Sequence, residues 1–263
     1  MNTGRNNTRR SRNIGTAKQG HGQNNKFEIP SHFSYREPKF YFEDLKNYRS
    51  VARIIKGYLI TFLIEETRSD CVHACTIDDI THVLQNVPAA DLEDLPLIIL
   101  RQPKRKEEIL NPVWARYIYH AEIDKHSGSA ICLDTMDVSQ PTRWSKSLSP
   151  DLQDELERLR KDGHSIETTK RHHVVFSTPE SVRETQLYRS LLHELGHHVD
   201  RTRDLTAFET KTSKDKEVFA HRYAEDLAKR LTGKGVLPFE RIFDTESLDA
   251  DKLRVEDFAV TGL

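Results

Sequence analysis

The residue types best suited to chemistry lie close together in residues 191–200, which read LLHELGHHVD. His193 and His197 are four residues apart, so on a helix their imidazoles lie one turn above each other and can bind a single metal ion. Glu194 follows the first histidine, where its carboxylate can take a proton from a water molecule that the metal polarises. This spacing predicts a Zn²⁺ site with an open position and a general base beside it.

The segment before this motif carries the signals that begin a helix. Thr178 is a candidate N-cap, Pro179 suits the first helical position, and an acidic residue follows in the first turn. Gly196 lowers helix stability, which predicts that another element packs closely against the backbone there. The helix should also bury an apolar stripe at helical spacing, formed by Tyr188, Leu192, Leu195 and Val199.

A zinc site with an open position needs a third protein ligand, and the sequence offers alternatives. Some zinc sites use a histidine six residues after the second one, but Arg203 stands there. Asp200 lies on the same helix as both histidines, and three successive turns of a straight helix close poorly on one ion. We therefore expect Asp200 behind the ligands, accepting a hydrogen bond from an imidazole. Glu217 opens a second amphipathic helix, whose buried stripe would be Phe219, Tyr223 and Leu227, and is the stronger candidate.

Together, HELGHHVD and the downstream EVFAHRYA resemble the gluzincin zinc metallopeptidases, most closely the catalytic domain of anthrax lethal factor and its relatives. The resemblance covers residues 187–231. It implies that His193, His197 and Glu217 bind Zn²⁺ and that Glu194 is the general base. The expected activity is therefore zinc-dependent endopeptidase cleavage of a protein or peptide substrate by metal-activated water.

The chain departs from this family at His221, where lethal-factor relatives carry a second acid one turn after the ligand glutamate. His221 lies on the same helix face as Glu217, so it could donate a hydrogen bond to the developing oxyanion or hold a ligand in place. A tyrosine that those enzymes carry shortly before the ligand glutamate is also missing. Tyr223 lies off that face, and we expect it to pack in the core.

Composition and charge limit the classes of protein to which this chain can belong. The chain has 263 residues, 36% of them hydrophobic and 31% charged, with a net charge of −1. Residues 1–38 are poor in aliphatic side chains and basic, which predicts a disordered tail. Residues 39–240 should form the catalytic domain, and residues 241–263 a segment of unknown role. The near-neutral charge argues against a dedicated nucleic-acid binder, so only the tail could make such contacts.

A second group of ligand-type residues is Cys71, His73 and Cys75. Alternate spacing would place all three on one face of a strand, but no fourth partner is evident, and we do not predict a metal site there. Three cysteines are an odd number, which implies no disulfide framework. With no signal peptide and no membrane-spanning run, the sequence favours the cytoplasm.

The order of expected helices and strands along the chain predicts an α+β, zincin-like fold. A mixed sheet should lie beside the active-site helix, and a second helix should carry a ligand. One sheet edge would take the substrate as an extra strand, and residues 114–123 and 130–133 are the two candidates for it. The expected helices are 42–55, 77–85 (capped by Thr76) and 150–161; the expected strands are 58–64, 95–101, 114–123, 130–133 (after the turn Ser127-Gly128-Ser129) and 172–177.

Two alternatives to a free-standing peptidase remain open from the sequence. The domain could be an inactive, zinc-stabilised interaction module, although Glu194 beside an open metal position has no use in a purely structural site. It could also be a peptidase associated with nucleic acid through its basic tail.

Overall fold

A computed structural model describes residues 40–110 and 113–259, so the tail predicted for residues 1–38 lies outside the described part of the chain. Five strands form the main sheet: β1 Tyr48–Ile55, β2 Tyr58–Glu65, β3 Leu97–Arg101, β4 Ala115–Ile123 and β5 His126–Asp134. Their order is β1-β2-β3-β5-β4. Strands β2, β3 and β5 run parallel, and β1 and β4 pair antiparallel with their neighbours. The prediction of an α+β fold with a mixed sheet is confirmed.

The described helices are α1 Ile77–Leu84, α2 Arg105–Leu110, α3 Pro150–Lys161, α4 Pro179–Glu184, α5 Leu191–Arg203, α6 Leu205–Thr210, α7 Ser213–Gly233 and α8 Thr245–Ala250. A π-helical turn, Thr185–Ser190, links α4 to α5. Three short strands, β6 Thr142–Ser145, β7 Ser165–Thr168 and β8 His172–Phe176, form a second sheet in the order β6-β8-β7.

The main core lies between one face of the large sheet and helices α1, α5 and α7. Side chains from α5 enter it as the predicted stripe, because Leu192, Leu195 and Val199 are buried and Tyr188 packs against them. The chain beyond residue 240 packs onto the same core through Leu248, Leu253 and Phe258. A separate small cluster joins α3 to the second sheet.

Local sequence signals account for several helix starts. Thr76 caps α1 and Thr178 caps α4, each with the reciprocal hydrogen bonds of a capping box, and Pro179 occupies the first turn of α4 as predicted. Helix α3 matches the predicted residues 150–161. Strands predicted at 58–64, 95–101, 114–123 and 172–177 are also present, with small shifts at their ends.

Two expectations at the sheet were wrong. Residues 42–55 do not form a helix, because Tyr48–Ile55 is strand β1. The predicted helix would have placed Leu45, Tyr48 and Ala52 on one face, but Ala52 is exposed in the strand and Val51 and Ile55 are buried instead. The turn expected at residues 127–129 lies earlier, since Ile123 pairs with His126 across a two-residue loop. Gly128 instead lies within β5, where an added Cβ would be 2.5 Å from Cγ of Pro96.

Strand β4 is the edge of the main sheet nearest α5, and β5 lies inside the sheet. Of the two candidate segments for a free edge, residues 114–123 are therefore the one that qualifies. An edge strand has unpaired backbone groups on one side, which can pair with an added chain.

Candidate metal centre

Two helices bring the predicted ligands together. Helix α5 carries His193 and His197, and α7 carries Glu217. The helices approach closely at Gly196, where an added Cβ would lie 2.9 Å from Cα of Ala220. The predicted close packing at this glycine is confirmed, and a larger side chain there would push α7 and its glutamate away from the histidines.

The three side chains point their donor atoms at one place. The Nε2 atoms of His193 and His197 are 3.1 Å apart. Oxygens of Glu217 lie 3.3 Å from Nε2 of His193 and 3.5 Å from Nε2 of His197. A tetrahedral zinc ion with bonds of about 2.0–2.1 Å requires donor separations of roughly 3.3–3.4 Å. Residues His193, His197 and Glu217 therefore could hold a metal ion, and they are the one such convergent group in the described part of the chain.

The histidines are in the protonation state that a metal requires. Burial, together with the neighbouring imidazoles of His197 and His221, lowers the pKa of His193 to about 3. Burial also lowers the pKa of His197. An unprotonated ring nitrogen is the form that coordinates a metal. The side chain of Glu217 is 56% exposed, whereas those of His193 and His197 are 16% and 12% exposed, so the centre opens to solvent on the glutamate side.

Glu194 lies beside this centre and is held by the edge strand. Its Oε2 accepts a hydrogen bond of 2.7 Å from the backbone N–H of Tyr117 in β4. Burial raises the pKa of Glu194 to about 7, with a smaller contribution from the Glu217 carboxylate. A carboxyl group that titrates near neutrality is suited to accept and return a proton, and a bound cation would lower this pKa.

A buried histidine behind Glu194 makes a second connection between α5 and β4. Nε2 of His198 is 2.7 Å from the carbonyl oxygen of Glu93, so it must carry the hydrogen and donate. Burial lowers the pKa of His198, which keeps the ring neutral and leaves Nδ1 to accept from the hydroxyl of Tyr117 at 3.2 Å. Sequence reasoning missed both Tyr117 and His198, because their roles depend on the register of β4 against α5.

Asp200 is buried near the ligands, but its hydrogen bond differs from the expected one. Its Oδ1 accepts from Nζ of Lys211 and not from an imidazole. Its Oδ2 is buried without a partner among the described residues. The charge still acts on the centre, since the Asp200 carboxylate opposes the lowering of the pKa of His197.

His221 and Tyr223 take the two different positions that their helix faces predict. The His221 ring packs on the His193 ring with 4.4 Å between centroids. Behind it, Nδ1 of His193 is buried and finds no hydrogen-bond partner in the described part of the chain. Tyr223 packs against the main core, as predicted, and its hydroxyl donates to Asp91 at 2.6 Å.

Cys71, His73 and Cys75 do not converge. Their segment is not a strand, although Val72 forms an isolated bridge with Met136. The three cysteines of the chain, Cys71, Cys75 and Cys132, are buried as free thiols.

Comparisons with protein-family models, with curated proteins and with solved structures found no match for this chain. Its function is therefore inferred from its own residues and their geometry. Over residues 40–110 and 113–259, no helix combines the length and the apolar character needed to cross a bilayer.

Proposed function

We propose that the protein is a zinc-dependent endopeptidase of the gluzincin type with a zincin-like fold. The observation that carries this proposal is one arrangement: His193, His197 and Glu217 present their donors to a common point beside Glu194, which an edge-strand amide holds in place. A purely structural site would fill its fourth position with a protein ligand and would not need an adjacent carboxylate.

The residues divide the chemistry among them. Bound at this centre, Zn²⁺ would polarise a water molecule and the carbonyl group of a peptide bond. As the water oxygen attacks the carbonyl carbon, Glu194 would take a proton from the water and later pass it to the amine that leaves when the C–N bond breaks. The Tyr117 N–H orients the Glu194 carboxylate. His221 packs on a ligand ring, so we assign it the holding role and not the oxyanion contact.

The edge of β4 suits an extended peptide. Strand β4 pairs with β5 on one side only, and Tyr117 on its other side lies within hydrogen-bond distance of Glu194. A substrate added as a further strand would therefore pass directly over the general base, and main-chain hydrogen bonds would align it. This geometry favours endopeptidase cleavage of unfolded or loop segments.

The test is Glu194→Gln, which keeps the shape of the side chain and removes the base. We expect the zinc-loaded variant to retain about one zinc per chain and to lose at least 10²-fold in the rate of peptide cleavage, the smaller end of what a general base contributes. Glu225→Gln on the exposed face of α7 is the matched control and should cleave at the wild-type rate. Equal activity of wild type and Glu194→Gln would reject the mechanism. A wild-type protein that binds zinc and cleaves no peptide would indicate an interaction module.

A further inference from the structure

Two positively charged side chains stand at one end of the candidate cleft. Cζ of Arg201 lies 5.8 Å from the ring centroid of Tyr119, and Nζ of Lys216 lies 3.9 Å from the ring centroid of Phe208. The two rings are themselves 5.5 Å apart. Together, Tyr119, Arg201 and Lys216 form a small surface, called here the basic end, that combines one exposed aromatic ring with two cations, and the buried ring of Phe208 supports Lys216.

These cations differ from their neighbours, because none of the ion pairs in the described part of the chain includes Arg201 or Lys216. By contrast, Lys211 pairs with Asp200 and Arg203 pairs with Asp91. Cations without an anionic partner beside a binding cleft produce a positive potential that attracts anionic groups.

The nearby acidic residues do not cancel this charge. Asp204 accepts a hydrogen bond from the N–H of Ala207 at the start of α6. Asp215 is likewise occupied in the capping box of α7. Glu209 is exposed on α6 and forms no ion pair with either cation among the described residues. The Glu217 carboxylate belongs to the metal centre, where a divalent ion would offset it.

The aromatic ring of the basic end lies on the same strand as the amide that holds Glu194. The N–H of Tyr117 bonds Glu194, and Tyr119 is two residues further along the same strand, where the register against β5 shifts between Ile118 and Ala121. Side chains two apart share a face, and the rings of Tyr117 and Tyr119 are 5.4 Å apart. The Tyr119 side chain is 49% exposed, so a substrate lying on β4 would contact it.

We propose that the basic end is a specificity subsite for a substrate carboxylate, placed about two residues from the scissile bond on the Tyr119 side. The inference rests on the proposed peptidase function and deepens it by naming the substrate class. The methylene groups of an aspartate or glutamate would pack on Tyr119, while its carboxylate meets Arg201 and Lys216. A carboxylate at the end of a peptide has the same chemistry and could occupy the same place.

The experiment uses zinc-loaded protein and fluorogenic peptides with amidated ends. One set carries Glu, Gln or Lys at the second and third residues on each side of the scissile bond. A companion peptide has Gln at the preferred position and a free C-terminus there. We expect kcat/KM to fall about 5- to 10-fold from Glu to Gln, mostly through KM, because both cations are partly solvated. The preference should weaken as salt is raised.

Substitutions at Arg201 and Lys216 test whether these two residues cause the preference for Glu over Gln. Arg201→Gln and Lys216→Gln should each reduce the Glu-over-Gln ratio, whereas Arg201→Lys should keep it. Lys229→Gln makes the same charge change on α7, roughly 20 Å along the helix from Lys216, and should leave the ratio unchanged.

The outcomes separate the two proposals. If the peptides are cleaved with no preference for Glu or for a free terminus at any tested position, the subsite proposal is wrong. The peptidase proposal is then retained. A preference that survives in both Gln variants also overturns the subsite proposal. If the zinc-loaded protein cleaves none of the peptides, both proposals fail. Preference for the free terminus alone supports the carboxylate site and shows that it receives chain ends.

Discussion

Two groups of ligand-type side chains occur in this chain, and only one of them converges. His193, His197 and Glu217 bring their donor atoms within 4.8 Å of one another. Cys71, His73 and Cys75 are closer together in sequence, yet each contacts a different partner. Cys71 contacts Arg68, Nε2 of His73 donates to the carbonyl of Glu65, and Cys75 donates to Gln186.

The difference lies in the backbone that carries each group. On a helix, a four-residue spacing places two side chains on one face whatever their surroundings, and a second helix can supply a third ligand. In an irregular buried segment, each polar side chain must find its own hydrogen-bond partner, because an unsatisfied one is costly. Convergence of ligand-type side chains therefore follows from regular structure more than from closeness in sequence.

The largest expected effect comes from breaking the convergent group. Glu217→Ala should remove most of the zinc affinity, a greater loss than the 10- to 100-fold that outer residues typically cost, because it would delete a proposed direct ligand. Zinc titration with a competing chelator measures this loss. Glu225→Ala on the same helix and Cys75→Ala in the other group should bind zinc as the wild type does. A zinc affinity that depends on Cys75 and not on Glu217 would reverse the assignment of the two groups.

Much of the centre could be predicted from sequence because its determinants are local. The histidine spacing, the cap at Thr178 and the apolar stripe all depend on residues within a few turns of one another. Even the approach of α7 was visible, since a glycine within a helix suggested a close contact at Gly196. The π-helical turn Thr185–Ser190 left no signal that spacing alone reveals.

Contacts set by tertiary register could not be predicted. Tyr117 donates its N–H to Glu194 only because β4 is the edge of the sheet, and no local sequence pattern predicts the order of the strands. The helix predicted for residues 42–55 rests on the spacing of Leu45, Tyr48 and Ala52, whereas the positive φ angles of Lys56 and Gly57 mark the turn between β1 and β2. The partner of Asp200 was likewise misjudged, because Lys211 reaches it from beyond the end of α5.

A second change tests whether helix contact is what makes the group converge. Gly196→Ala places a Cβ 2.9 Å from Cα of Ala220, so the helices must separate. We expect a loss of about 1–3 kcal/mol in the free energy of unfolding and a weaker zinc affinity. In Gly233→Ala the added Cβ meets no atom within 4 Å, so this control should keep its zinc affinity and gain up to about 1 kcal/mol. Denaturant unfolding and zinc titration measure both effects. Full zinc affinity in Gly196→Ala would show that the contact is not needed.

A smaller effect is expected at Asp200. Asp200→Asn keeps the side-chain shape but removes the charge that pairs with Lys211 and acts on His197. Because it contacts no ligand atom directly, we expect zinc affinity to fall about 10-fold, the lower end of the range for outer residues. The same chelator titration measures it. If the Asn variant binds no zinc while Glu217→Ala still does, Asp200 is the third ligand.

The last effect concerns a histidine of the group that does not converge, and it is absent at neutral pH and grows only as the pH falls. Burial lowers the pKa of His73 from 6.5 to about 4, so the folded protein keeps this ring neutral. Below pH 6.5 the unfolded chain binds a proton that the folded chain does not, and the stability from this residue falls as the pH drops toward 4. The slope of unfolding free energy against pH from this residue is at most about 1.4 kcal/mol per pH unit.

His73→Gln can still donate to the Glu65 carbonyl but cannot titrate, so its unfolding free energy should depend less steeply on pH over this range. Chelator-treated samples, unfolded in denaturant at a series of pH values, isolate the effect from metal binding. The exposed His172→Gln is the matched control. Parallel pH profiles for wild type and His73→Gln would mean that His73 has the same pKa in the folded and the unfolded chain, which would contradict the effect of burial on this ring.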